Sequence, residues 1–486
     1  MVPFKSDASS QLFLNTIMCN KSWLCDNWPM DKLEITGSVR AVGSIDCGGA
    51  KNLCLKLMIA AILNRSITYL DNIPNILDVI AVMNMSEQLG VRMSYNGRRM
   101  MIDATQINGS SIKSDSVGSR MSILYLGILG HFSDDVRVPL PRGCNLGARS
   151  IDIHIQILKQ FGFKVDLDDH SCRIRRTTIR GIDFTLAYPS VGATETALFL
   201  SVLAEGKSIL RNIAIEPEIN HLIAFLQHCG AHIYYSGDRE LTVIGVNKLH
   251  GCTFKVAGDR IEAAGWACLA CATDGEITVN GIGYGQMHTF LGQFTSIGGG
   301  FKIIDDDTMV FFRRQNELNP ISIETGPYPQ FPTDCQPFMS VLMAIARGES
   351  VIHETLFNDR LSYLSQLGEF GVKSTVLTEC AGSECRFKAE YPHTARIYGG
   401  KIVAPSIPIK ADTIRSGFAY VIAASVAHGT TTLINVNAIR RGFGELEAKL
   451  KAVGVMSESI QVNKKADYAE LARMSCIMGT SSVMAE

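Results

Sequence analysis

Three kinds of residue stand where they could do chemistry. Cys144 lies in Pro141-Arg142-Gly143-Cys144-Asn145-Leu146-Gly147-Ala148-Arg149, a lone thiol on a glycine-flanked loop with a guanidinium on either side. Nearby cations lower a thiol's pKa and favour the nucleophilic thiolate. Glycines let a loop move and let backbone approach a ligand closely. The pattern predicts a mobile, electropositive lid carrying one reactive sulfur. Lys51 follows Gly48-Gly49-Ala50 and opens an apolar helical run over 50–63. An ammonium beside a helix N-terminus makes an anion site. Asp334 follows the two-proline turn Pro329-Gln330-Phe331-Pro332 and opens another run, to Ala346. A carboxylate there serves as a general base or as a helix cap.

The elements that hold these residues recur. A helical run closes on a glycine and a short strand follows, with marker glycines at 90, 162, 230, 300, 371 and 454. A glycine just past the last helical residue is a helix stop. A second series, Glu205-Gly206, Asp274-Gly275, Arg347-Gly348 and His428-Gly429, ends Ala-rich helices and opens strands. The chain therefore reads as six βα-type units of about 70 residues. At 486 residues it is too long for one ordinary core, so three units per domain is the natural partition. Representative helices are 50–63, 151–160, 191–204, 260–272, 334–346 and 414–426. Several, such as Ala197-Leu198-Phe199-Leu200-Ser201-Val202-Leu203-Ala204, are apolar nearly all round. Helices of that kind sit inside a domain, so sheets must wrap around them, the reverse of the usual α/β arrangement.

Composition narrows the function. The apolar share is 46% and the net charge −1, which gives no global field for nucleic acid or an anionic membrane. No stretch reaches the roughly 20 apolar residues of a membrane span, and the first 29 residues carry no secretory signal. The fourteen cysteines are mostly scattered singly. Cys268 and Cys271 form a C-x-x-C inside an apolar helical run, with no second Cys or His pair to complete a zinc set. We expect no metal, no cofactor, reduced thiols and a cytoplasmic protein.

Seven segments in order carry a resemblance. They are Gly48-Gly49-Ala50-Lys51-Asn52; the Cys144 loop through Arg149-Ser150-Ile151-Asp152-Ile153-His154; Pro189-Ser190-Val191-Gly192-Ala193-Thr194-Glu195; Glu216-Pro217-Glu218-Ile219; Asp259-Arg260-Ile261-Glu262; Phe331-Pro332-Thr333-Asp334; and Phe357 with Arg360. From about Met30 to Ser457 the chain resembles the UDP-N-acetylglucosamine enolpyruvyl transferases. Their superfamily also contains enolpyruvyl-shikimate-phosphate synthase. The resemblance implies an α/β fold of two inside-out α/β barrels, each of three pseudo-symmetric units, with the active site between them. It divides the chain into an extension (1–29), a first barrel (30–48 with 259–457), a second barrel carrying the Cys144 loop (49–258) and a tail (458–486). The implied reaction moves the enolpyruvyl group of phosphoenolpyruvate onto the 3-hydroxyl of UDP-N-acetylglucosamine and releases phosphate. It is a step of peptidoglycan synthesis open to fosfomycin-type epoxides. The partners are these two small molecules only, and the protein is expected to be a monomer.

By resemblance Cys144, Asp334 and Lys51 are catalytic: proton donor to the donor's methylene carbon, base at the sugar hydroxyl, and phosphoenolpyruvate contact. Asn52 touches the sugar, and Arg120 and Arg149 hold the anionic donor. Arg149, Ile151, Asp152 and Ile153 surround the uridine, and Ser190, Val191 and Gly192 open a helix toward the phosphates. Leu356, Arg415 and Arg441 complete the substrate contacts. Glu216 and Glu218 read as helix-start acids, His154 equally as a structural hydrogen-bonder, and Asp259, Arg260 and Glu262 as a domain-joining ion set. Departures gather late in the chain. Asp412-Thr413-Ile414-Arg415 has one residue more than the family's Asp-Leu-Arg, which turns a helix by about 100° and questions whether Arg415 reaches the site. Arg440-Arg441-Gly442 replaces Asp-Arg-Gly. The acceptor therefore stays open. The alternatives are another uridine nucleotide, such as the 3′-hydroxyl of UMP, and a sugar-nucleotide-binding paralogue without turnover.

Overall fold

The computed structural model describes residues 32–113, 120–140, 151–382, 385, 387 and 390–460. Their buried apolar residues form two cores, one from Leu33–Cys47 together with Ile261–Val455, the other from Ala50–Val256. Three sheets surround each core. Around the first, Val42–Asp46 runs parallel to Glu276–Asn280, which pairs antiparallel with Thr308–Arg313. Ser322–Glu324 runs parallel to Glu349–His353, which pairs antiparallel with Thr394–Tyr398. Ile409–Lys410 and Thr430–Ile434 repeat the pattern, with Lys32–Thr36 as the antiparallel partner. Around the second core, Thr253–Lys255 beside Ile67–Asp71 and Asp183–Thr185 beside Lys207–Arg211 are the parallel pairs. The remaining sheet, Asp135–Pro139 with Ser171–Arg175 and Lys164–Leu167, keeps only an isolated parallel bridge, Ser111 to Arg137. The six sheets are thus variants of one unit, and the fold is a two-domain α/β arrangement. The last described strand, Ser457–Ile460, pairs with Lys32–Ile35, so ordered pairing runs three residues past 457.

Six inner helices fill the cores: α1 (Lys51–Ala60), α2 (Leu124–Leu129), α3 (Val191–Ser201), α4 (Arg260–Ala272), α5 (Gln336–Ala344) and α6 (Ile414–Val426). All nine residues of α5 are buried, as are twelve of thirteen in both α4 and α6. Such helices cannot be told apart by amphipathic periodicity, because every face is apolar. Their starts are chemically marked. Ser190 caps α3, Asp259 caps α4 and Thr413 caps α6, each side chain accepting from a first-turn N–H. Where α4, α5 and α6 meet, Phe418 stacks on Phe443 with ring centroids 3.9 Å apart and meets Trp266 edge-on at 5.1 Å. Gly265 permits this approach, since a Cβ there would lie 2.8 Å from the Phe418 ring.

Some expectations needed correction. In the second unit the inner helix is Leu124–Leu129, whereas 151–160 forms an outer helix, Asp152–Gln160, with only His154, Ile157 and Leu158 buried. The fourth helix stop is Gly298, at φ 116°, rather than Gly300, which is already in a strand. In the second series the left-handed residue of its unit is Asp274, not Gly275. The run expected from Asp334 becomes helical only at Gln336.

The chain passes between the cores twice, at 48–50 and at 257–259. The two passages bridge each other through Gly49 and Gly258, with Ala50 N donating to Ala257 O at 2.7 Å and Asp259 N to Gly48 O at 2.9 Å. Asp259 fastens both sides. Its carboxylate accepts from Ile261 N and Glu262 N in α4 and from Lys51 N at the start of α1.

Candidate active site

A cleft of about 570 Å3 opens between the two cores and is lined from both. Lys51, Asn52, Arg120, Ile153 and Ser190 through Gly192 line it from one side, and Asp334, Leu356, Arg415 and Arg441 from the other. These residues come from helix starts and turns spread through the sequence from Lys51 to Arg441. Ile151 and Asp152 are not part of the lining. Asp152 is exposed in the first turn of its outer helix, and Ile151 caps that helix. Cys144 and Arg149 lie outside the described residues.

The cleft is electrostatically dense. Lys51 Nζ is 2.6 Å from Asp78 Oδ2, and Arg441 Nε is 2.9 Å from Asp78 Oδ1, so one buried carboxylate ties cations from both sides. Burial pushes the Lys51 ammonium below its ordinary pKa, against the attraction of Asp78. Burial alone would raise Asp78, but Lys51 and Arg441 outweigh it and hold the carboxyl below its ordinary value. Across the cleft, Asp334 meets Arg360 at 2.9 Å and Arg415 Nε at 3.3 Å. Thr413 caps α6 through Ser416 N, so Arg415 sits in the first turn and reaches the cleft. Buried Arg360 Nε and Arg415 Nη1 have no hydrogen-bond partner among the described residues. Half-buried Arg120 forms no ion pair among the described residues, and burial lowers its pKa. Buried donors without acceptors are costly, and an incoming anion would satisfy them.

A second bridge closes the wall. Arg260 Nε and Nη2 bond the two oxygens of Glu218 at 2.9 and 3.2 Å. Burial opposes the charge on Glu218, but Arg260 prevails and lowers its pKa. Glu218 lies in the first turn of Pro217–His228, for which Glu216 is the N-cap. Glu262 does not join the cores; it pairs with Lys449 at 2.5 Å within the first. His154 lines the cleft and bonds Thr196 Oγ1 at 2.8 Å, and burial lowers its pKa to about 4. It is neutral at pH 7. Arg440, the basic substitution beside Arg441, turns to Glu447 and Asn437 and is not part of the cleft lining.

The sequence pattern of EPSP synthase (3-phosphoshikimate 1-carboxyvinyltransferase) matches residues 35–450. The chain belongs to the EPSP synthase family. The UDP-N-acetylglucosamine 1-carboxyvinyltransferase of Protochlamydia amoebophila is 33% identical to this family member over 446 residues, 90% of this chain and 96% of that one. In fold it is similar to the enolpyruvyl transferase NikO from Streptomyces tendae, with TM-score 0.79 and 20% identity over 90% of this chain and all of that one. It is also similar to EPSP synthase from Acinetobacter baumannii, with TM-score 0.67 and 14% identity over 89% of this chain and all of that one.

Sequence reading of this EPSP synthase-family chain missed Asp78 and Lys56. Asp78 sits in the first turn of Leu77–Glu87, and a helix-start acid is too common to single out. Lys56 Nζ bonds Asn52 O at 2.5 Å and lies 3.5 Å from Glu195, one turn into α1 from the cleft mouth. Burial raises Glu195 to about 7, and the nearby Lys56 only partly offsets this.

Proposed function

We propose that this chain transfers the enolpyruvyl group of phosphoenolpyruvate to the 3-hydroxyl of UDP-N-acetylglucosamine, releasing phosphate, in peptidoglycan precursor synthesis. The observation that carries the reading is one cleft in which Lys51, Arg120, Arg415 and Arg441 surround space for an anion while Asp334 stands beside it. The name and coverage of the Protochlamydia relative support the acceptor. The two domains are residues 30–48 with 259–457 and residues 49–258, working as a cytoplasmic monomer on small-molecule substrates. No helix among the described residues is long and apolar enough to cross a membrane.

The chemistry follows from the groups. Lys51, Arg120 and Arg441 bind the donor's phosphate and carboxylate as fixed cations that need no reorganisation during reaction. Asp334 accepts the proton of the sugar hydroxyl as its oxygen bonds to C2 of the donor. Cys144 delivers a proton to C3, giving a tetrahedral ketal that still carries phosphate. Loss of a proton from C3 then re-forms the double bond and expels phosphate. Both oxygens of Asp334 are engaged by guanidiniums. A donor that draws Arg415 or Arg360 onto itself leaves an oxygen of Asp334 open to the sugar hydroxyl. Ser190, Val191 and Gly192 open α3 toward the nucleotide's diphosphate, and closure over both ligands excludes water.

Phosphate release from phosphoenolpyruvate tests the reading, measured with UDP-N-acetylglucosamine, with UMP and with neither. Release with the sugar nucleotide alone is expected. Release only with UMP would replace the acceptor, and no release in any arm would overturn the reading.

A further inference from the structure

Behind the cleft, at the edge of the first core, four side chains of metal-ligating type converge. Cys380 and Cys385 belong to the connection between strands Lys373–Leu377 and Thr394–Tyr398, His393 is its last residue, and His353 ends strand Glu349–His353. The two sulfurs and one nitrogen from each imidazole all lie within 4.8 Å of one another. Cys380 Sγ is 3.7 Å from Cys385 Sγ and 3.3 Å from His393 Nε2. A tetrahedral zinc ion, with Zn–S about 2.3 Å and Zn–N about 2.0 Å, spaces its ligands roughly 3.3–3.8 Å apart. These separations need only small closing movements to meet that geometry.

The hydrogen bonds prepare both imidazoles for a metal. His393 Nδ1 is 2.6 Å from the carbonyl oxygen of Tyr391, and His353 Nδ1 is 2.9 Å from Glu324 Oε2. A carbonyl or an ionised carboxylate only accepts, so Nδ1 carries the hydrogen in each ring and Nε2 keeps its lone pair. Outer partners of this kind, a carboxylate or carbonyl on the far nitrogen, are what metal-bound histidines use. His353 Nε2 is buried without a hydrogen-bond partner among the described residues. His353 is 2% exposed and His393 0%. An imidazole buried with a bare lone pair calls for a ligand.

We propose that His353 Nε2, Cys380 Sγ, Cys385 Sγ and His393 Nε2 bind one zinc ion as a closed structural site. Two thiol protons leave on binding, and the two thiolates balance the charge of the metal. The ion ties Cys380, Cys385 and His393, which follow strand Lys373–Leu377, to the end of strand Glu349–His353. It also braces the active site. Thr325, next to Glu324, accepts from Thr355 N at 3.1 Å, and Glu354, next to His353, accepts from Leu356 N, Phe357 N and Thr333 Oγ1 at 2.9, 3.2 and 2.8 Å. The turn bearing Asp334 and the turn bearing Leu356 therefore rest on the ends of strands Ser322–Glu324 and Glu349–His353, the second of which ends in the ligand His353 and the first of which is hydrogen-bonded to that ligand through Glu324. No step of the proposed transfer passes through the ion.

The test uses the full chain carrying no polyhistidine tag, purified from zinc-supplemented culture. Elemental analysis is expected to find about one zinc per chain in the parent and almost none in a Cys380→Ser, Cys385→Ser double variant. Chelation should lower the melting temperature of the parent and leave that of the variant unchanged. If the variant fails to fold, cobalt substitution of the parent decides alone, with visible bands of a tetrahedral, thiolate-bound Co2+ expected. Metal-free parent protein with no such bands on cobalt addition would overturn the proposal. So would an intact mass two hydrogens low from a Cys380–Cys385 disulfide.

Discussion

Replacing Asp78 by Asn probes the cation cluster most sharply. The carboxylate is buried and bonds Lys51 at 2.6 Å and Arg441 at 2.9 Å. Asn keeps the volume, so no cavity term enters, but buried Lys51 and half-buried Arg441 lose the charge of Asp78. Each contact is attractive by roughly 4 kcal/mol at 4 Å and an effective dielectric of 20. Desolvation of all three groups offsets much of that, while breaking a buried pair on one side typically costs about 3–5 kcal/mol. We expect Asp78→Asn to lose about 3 kcal/mol at pH 7. The vacated site should then favour anions. At about 100 times its dissociation constant, phosphate or phosphoenolpyruvate stabilises by about 2.7 kcal/mol, which would nearly close the gap. Urea unfolding of parent and variant, each with and without phosphate, measures both effects. A loss under about 1 kcal/mol, or a gap that phosphate leaves unchanged, would refute the view that Asp78 holds an anion site in readiness.

Four further outcomes are expected. Asp334→Asn should lower turnover by about 10²–10⁴-fold, the usual contribution of a general base, while calorimetry finds binding of UDP-N-acetylglucosamine retained. Glu195, raised from 4.5 to about 7, binds its proton more tightly folded than unfolded. Its stabilising contribution is full below pH 4.5 and is lost as pH rises to about 7, by roughly 3 kcal/mol at 1.36 kcal/mol per pKa unit. Urea midpoints between pH 4.5 and 8 should fall in that window for the parent and flatten for Glu195→Gln; an identical slope in both would reject the assignment. Cys144→Ser should sharply reduce turnover and remove sensitivity to fosfomycin-type epoxides. The pH midpoint for alkylation of Cys144 in the parent should rise when the sugar nucleotide binds.

Much of the fold was legible because helix stops and strand starts carry local chemistry. Gly90, Gly162, Gly230, Gly371 and Gly454 all have positive φ, as a helix-ending glycine does. Leu124–Leu129 was not legible, since six apolar residues lack the length to announce an inner helix. In the site, Lys51 and Asp334 were readable from motifs, but their counter-ions were not. Asp78, Arg360 and Arg415 meet them across tens of residues, and only packing sets such pairs. The concern over Arg415 came from counting a helix phase through residues that are not helical, since Thr413 starts the helix afresh. Ile151 and Asp152 were assigned as uridine contacts from a motif, whereas the start of their outer helix leaves them off the cleft lining. The Cys380, Cys385 and His393 spacing matches no familiar zinc pattern. Its fourth member arrives from a strand 27 residues upstream of Cys380, so only the folded sheet reveals the set.

The most direct measurement of the central claim is the fate of carbon 2 of phosphoenolpyruvate. With that carbon labelled, the chain and UDP-N-acetylglucosamine should convert its resonance into that of an enol ether on the sugar's 3-oxygen, one phosphate appearing for each ether formed. A label that stays in phosphoenolpyruvate, or one that appears in pyruvate without any sugar adduct, would contradict the account.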